Sequence, residues 1–156
     1  MKITPCLWFD NQAEEAVKFY LSVFKKGKAG KPLLDQAGKV IALPFEMQGQ
    51  KFTALNGGPM FKFNESVSFV VHCKDQKEVD YYWNKLTAGG GEESMCGWLK
   101  DRYGLSWQIV PDVLLRMMTG PNHAAVMRAF MKMRKFDVAT LVNRMTARSR
   151  TPRAPC

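Results

Sequence analysis

What most constrains this chain is an order of elements that occurs twice. Lys2–Phe9 (KITPCLWF) is rich in β-formers and aromatics and ends at Asp10-Asn11, which reads as a strand running into a helix. Asn11 and Glu14 have the spacing of a capping box, and Ala13, Ala16, Val17, Tyr20, Leu21 and Phe24 follow at helical spacing. Lys25–Lys31 reads as a solvated loop. Val40–Met47 and Lys51–Leu55 then read as strands joined at Gln48-Gly49, and Asn56-Gly57-Gly58-Pro59 stops the second. The order returns with Val67–Cys73 (VSFVVHC) as a strand and Asp75 with Glu78 as a capping box. Val79, Tyr82, Trp83 and Leu86 form the helical stripe, and Gly89-Gly90-Gly91 the stop. Two short strands follow, around Cys96–Lys100 and Leu105–Val110, with a turn at Asp101–Gly104. The distance from cap to stripe differs by two residues between the halves, so the repeat is imperfect.

A sheet with one helix-covered face and one bare face must bury the bare face or close it around something. The repeat therefore predicts an α+β fold of two related halves with a ligand cavity between them. At 156 residues, 46% apolar, one domain is expected, with modules of about 1–60 and 61–111. After Pro111 the pattern turns helical over 112–146: Val113, Leu114, Met117 and Met118, a break at Gly120-Pro121, then one longer helix from Asn122 to Met145. Its apolar side carries Val126, Phe130, Met133, Val138, Leu141, Val142 and Met145, with Arg128, Lys132 and Lys135 outside. The residues 147–156, including RSRTPRAPC, read as a disordered tail.

The net charge of +9 is concentrated at one end. Residues 1–127 hold 15 Lys and Arg against 13 Asp and Glu, while residues 128–156 hold 8 against 1. No base-reading aromatics are interleaved with these cations, so a nucleic-acid partner is not expected; the basic region reads as a dimer-packing helix with a solvated outer face. No run approaches the roughly 18–20 apolar residues of a membrane span, and the first ten residues show no export signal. A cytoplasmic chain with reduced thiols is expected, with Cys6 and Cys73 as small core hydrophobes and no CxxC to suggest structural zinc.

The segments ITPCLWFD, AEEAVKFY, FTALNGGPMFKF, SVSFVVHC and GGGEESMCGWLKDRYGLSWQIVP resemble the PhnB-like branch of the vicinal oxygen chelate superfamily, from about Ile3 to Ala139. That branch often carries the label 3-demethylubiquinone-9 3-methyltransferase domain. The resemblance implies paired βαβββ modules forming a half-closed barrel around a ligand cup, usually in a homodimer. It also implies that metalloenzyme ligands, His and Glu, would stand on the first and last strands of each module. Here those positions fall near Thr4 or Pro5, at Ser68, near Asn56 and at Gln108, none a strong ligand, so no bound metal and no other cofactor is expected. Between Phe24 and Val40 there is room for only a short strand, at Leu33-Leu34. The methyltransferase label finds no support in the residues: a nucleotide methyl donor commonly uses a Gly-rich turn between strand and helix, and Gly89–Gly91 follow a helix instead.

Two side chains are candidates for chemistry. His72 shares a strand face with Ser68 and Val70 and would act as a base or hydrogen-bond donor if that face lines the cup; a structural histidine bonded to backbone is the competing reading. Cys96, before Gly97-Trp98, is a nucleophile only if a neighbour lowers its pKa, and otherwise a buried thiol. Trp8, Trp98 and Trp107 form a candidate aromatic lining for a flat organic ligand, with Asn56 and Gln108 as its polar contacts; core packing competes for the tryptophans. Two functions follow: a binder or metal-independent enzyme of a small organic molecule, or a divalent-metal enzyme with relocated ligands, His72 with Glu46 or Glu92.

Overall fold

The structure, a computed structural model, describes residues 3–146; the expected tail at 147–156 lies outside the described residues. The chain forms two units. The first runs to Ser66 and includes Tyr103–Leu105, and the second holds Val67–Arg102 and the residues from Ser106 onward.

In the first unit β1 (Cys6–Phe9) leads into α1 (Ala13–Val23), followed by β2 (Gly27–Ala29), β3 (Leu33–Leu34), β4 (Val40–Met47) and β5 (Gln50–Asn56). The sheet order is β1-β5-β4-β2, with β3 also on β4, and β1 runs parallel to β5. β2 corrects the expected loop at Lys25–Lys31. Gly27 makes it possible: a Cβ there would stand 2.3 Å from the Glu46 carbonyl oxygen, so only glycine lets this segment close on β4. β2 and β3 lie in succession along β4, pairing with Met47–Phe45 and with Ala42 and Val40, and together act as one interrupted strand.

The helix cap is also corrected. Asn11 does not cap α1; the Asn56 Oδ1 accepts from the Ala13 N–H at 2.8 Å, and the Asn56 Nδ2 donates to the Val40 carbonyl at 3.0 Å. One side chain at the end of β5 thus ties the helix start to β4. α1 buries Ala13, Ala16, Val17, Tyr20 and Val23 over the sheet face carrying Leu7, Phe9, Leu43, Phe45, Phe52 and Ala54. Tyr103 joins this unit, donating to Glu15 Oε1 at 2.7 Å with its ring against Phe9 and Phe19.

The second unit repeats the path: β6 (Ser68–Cys73), α2 (Gln76–Thr87), β7 (Glu92–Glu93), β8 (Trp98–Lys100) and β9 (Ser106–Pro111), in the order β6-β9-β8-β7 with β6 parallel to β9. The sequence repeat is therefore a repeat of topology, two βαβββ modules in an α+β chain. Here the expected cap holds: Asp75 accepts from the Glu78 N–H at 3.0 Å, and Glu78 Oε2 accepts from the Lys74 N–H at 3.0 Å. α2 buries Val79, Trp83 and Leu86.

Three helices complete this unit: α3 (Val113–Met118), α4 (His123–Phe130) and α5 (Val138–Thr146). The single helix expected from Asn122 to Met145 is thus two. Phe130 and Phe136 stack with centroids 5.1 Å apart, which residues six apart on one continuous helix cannot do, because they would point about 120° apart around the axis and stand about 9 Å apart along it. Phe136 is buried with Leu114, Met117, Val126 and Leu141. Asp137 restarts the helix by accepting from the Thr140 N–H at 2.6 Å, and Gln76 of α2 anchors the restart through the Val138 N–H and the Phe136 carbonyl. Among the described residues no helix is long and apolar enough to cross a membrane.

Candidate functional site

Strand register divides each sheet into a helix-covered face and a second face. In the second unit the face away from α2 carries a row across three adjacent strands: Val70 on β6 pairs with Gln108 on β9, which pairs with Trp98 on β8. Gln108 and Trp98 are half-buried and Val70 is 46% exposed. Beside the row, Gln108 Nε2 donates to Ser68 Oγ at 2.9 Å, so the two positions where the resemblance would place ligands do come together, as an amide and a hydroxyl. His72 flanks the row two residues along β6. Its Nδ1 stands 3.7 Å from Asp112 Oδ1, with both side chains more than half exposed, so the pair orients the imidazole only weakly.

Trp107 is not on this face. It pairs with Leu99 and Phe69 on the helix-covered side, is 1% exposed, and donates from Nε1 to Asp101 Oδ2 at 2.9 Å. Cys96 is also displaced from it. Its φ of 59°, followed by 80° at Gly97, makes a tight turn whose N–H groups donate to Met133 and Arg134 carbonyls, so this turn holds the segment between α4 and α5. Burial pushes the Cys96 thiol pKa up, the opposite of what a thiolate nucleophile needs. His123 is exposed at the start of α4.

In the first unit the face away from α1 carries Trp8, paired with Leu55, which pairs with Ala42. Asn56 points the other way, to α1, so it does not match Gln108. The Asn56-Gly57-Gly58 segment instead locks Trp8 in place. Trp8 Nε1 donates to the Gly58 carbonyl at 2.8 Å, and a Cβ on Gly57 would stand 2.3 Å from the indole. Phe61 meets the same ring edge-on at 5.0 Å. Further along this face lies a groove of about 400 Å³ lined by Thr4, Lys28, Glu46, Lys51 and Thr53. Register places Glu46 between Lys28 and Lys51, so one of the two lysine charges is offset and the other is left over. Sequence reading passed over Lys28, Lys51 and Thr53; for Lys51 and Thr53 their alternation with the buried Phe52 was the available signal, and Lys28, on a wholly exposed strand, gave none. Cys6, expected in the core, is exposed on β1.

The residues do not fit a chelated divalent ion. No three His, Cys, Asp or Glu side chains converge among the described residues. Asn56 uses both polar groups on the fold, and Gln108 and Ser68 are neutral donors to a metal. His72 and Glu92 stand on opposite edges of a four-stranded sheet, three strand spacings or roughly 14 Å apart, too far to share one ion.

The 3-demethylubiquinone-9 3-methyltransferase family matches residues 1–110. Among solved structures the chain is similar to the PhnB protein from Bacillus cereus, at 31% identity over 71% of this chain and 99% of that one, with a TM-score of 0.65. A protein from Pseudomonas aeruginosa is similar at 17% identity, over 71% and 97%, with a TM-score of 0.58. The fosfomycin resistance protein FosX from Listeria monocytogenes, described in complex with Mn(II) and 1S,2S-dihydroxypropylphosphonic acid, is similar at 14% identity, over 70% and 90%, with a TM-score of 0.52. At these identities the last two show a shared fold alone. No curated protein matches.

Proposed function

Because the chain belongs to the 3-demethylubiquinone-9 3-methyltransferase family, the PhnB-like branch of the vicinal oxygen chelate superfamily, we propose that it binds a small, flat organic molecule on the second sheet's face away from α2. The row Val70–Gln108–Trp98 carries this reading. Trp98 offers an aromatic platform, Gln108 Oε1 an acceptor whose amide is oriented by Ser68, and His72 an imidazole at the margin that can donate or accept a hydrogen bond. The binding step uses no metal. The reading assigns no methyl transfer either. The strand-to-helix turns after β1 and β6 are Asp10-Asn11-Gln12 and Lys74-Asp75, and neither holds a glycine to admit a nucleotide's phosphates.

Titration of tryptophan fluorescence with 4-hydroxybenzoate, as a flat phenol, tests the site. Trp98→Ala is expected to weaken binding about tenfold, as is Gln108→Ala, and chelator to leave it unchanged. Equal affinity in wild type and both variants would remove the site. The reading includes a homodimer, so light scattering on the eluting protein should give twice the 17.7 kDa chain mass; a monomer mass would refute that part. It also places the chain in the cytoplasm, a compartment suited to the free thiols of Cys6, Cys73 and Cys96.

A further inference from the structure

Helices α4 and α5 lie outside the segment that the family match covers. The match ends at residue 110, and the Bacillus protein is covered almost entirely by 71% of this chain, whereas α4 and α5 begin at His123 and Val138. From His123 to Thr146 this added helical region holds five Lys and Arg against one Asp, and part of that charge is gathered around one concavity. Ala125 and Ala129 on α4 leave room for a cleft of about 240 Å³, which Arg128, Lys132 and Arg144 also line. Asn122 Nδ2 donates to the Met145 carbonyl at 2.5 Å and holds the start of α4 to the end of α5 beside it.

The three cations are exposed, and among the described residues none forms an ion pair; no carboxylate lines the cleft. Neighbouring charges are used differently. Lys135 pairs with Asp80 at 2.7 Å, and Asp137, the only acid after residue 112, caps α5. Arg128 in the last turn of α4 and Lys132 in the turn just beyond it both line the cleft, so like charges are gathered there with no acid between them. The volume is below the roughly 300–1,000 Å³ typical of sites for whole drug-sized molecules, and so suits a charged group. A guanidinium can hold two oxygens of a tetrahedral oxyanion at once while the ammonium adds a point charge.

We propose that the cleft between α4 and α5 binds the phosphate group of a small phosphorylated molecule through Arg128, Lys132 and Arg144. The site is separate from the sheet face, and either can fail without the other.

Calorimetric titration of the full chain with inorganic pyrophosphate at 150 mM salt provides the test. One site per chain is expected. Arg128→Gln, Lys132→Gln and Arg144→Gln should each weaken binding about tenfold, the scale of one charge-assisted hydrogen bond. Lys18→Gln on the exposed side of α1 should change nothing, and unchanged melting curves in the absence of ligand would show that the cleft variants fold. Replacing Arg148, Arg150 and Arg153 with glutamine in the full chain should leave pyrophosphate affinity intact. Three results would overturn the proposal: wild-type affinity in the three cleft variants, binding lost only when the last three arginines are changed, or tight binding of duplex DNA that pyrophosphate does not displace.

Discussion

Trp107→Ala is expected to lower the unfolding free energy by about 3–5 kcal/mol, the range for truncating a large buried aromatic. The indole is 1% exposed, packs on Phe69 with centroids 5.6 Å apart, and donates to an Asp101 side chain that is itself only 2% exposed. Packing and hydrogen bonding can be separated. Trp107→Phe keeps most of the ring volume but takes a donor from a buried carboxylate, which should cost about 1–3 kcal/mol. Trp98, on the opposite face and half-buried, should lose much less stability as alanine, while losing ligand. Urea unfolding at constant slope measures all three. A Trp107→Ala loss no larger than that of Trp98→Ala would contradict the assignment of faces.

That assignment shows where sequence reading reaches and where it stops. The main strands and helices of both modules were legible because each signal is local: apolar alternation, a helical stripe, a cap such as Asp75 with Glu78; the short exposed strands β2 and β7 lack such a signal and were missed. The faces of Trp98 and Trp107 were not, because they depend on the register that sets Leu99 beside Trp107 and Trp98 beside Gln108. Period two tells which residues of one strand share a face and leaves open which face of the next strand joins them. The same limit explains Asn56. It stands 43 residues from the helix it caps, whereas Asn11 lies at the right local spacing and makes no cap. The break at Phe136 was hidden for a related reason: residues 122–145 are periodic enough for a helix, and only the stack on Phe130 and the buried cluster around Leu141 favour two.

The candidate site was legible in part. His72, Ser68 and Val70 were assigned to one face by alternation, and Gln108 joins them through Ser68. Trp8 occupies the equivalent kind of face in its own sheet. Cys96 was unreadable from its neighbours, because the groups that define it, the Met133 and Arg134 carbonyls, are nearly forty residues away. Its left-handed backbone beside Gly97 serves docking: a Cβ on Gly97 would stand 2.3 Å from the Phe136 ring and 2.9 Å from the Ile109 carbonyl oxygen.

Cys73 makes stability depend on pH at the alkaline end. It closes β6, is fully buried, and its thiol pKa is pushed from 9.0 up to about 12, first by burial and then by the charges of Glu78, Asp112 and Asp75. The raised pKa means that the folded chain holds the proton more tightly than the unfolded chain does. This contribution is fully present below pH 9, where both states are protonated, and is lost as pH rises from 9 towards 12, where only the unfolded thiol ionises. One proton released on unfolding lowers stability by about 1.4 kcal/mol per pH unit across that window. Other groups titrate there as well, among them Tyr82, whose pKa is also raised by burial, so the comparison that isolates Cys73 is with Cys73→Ala. The variant should start less stable at pH 8 and fall more gently, the two curves converging by several kcal/mol between pH 9 and 11.5. Parallel curves would show that Cys73 ionises as readily in the folded chain as in the unfolded one, and that its burial is looser than the packing around it implies.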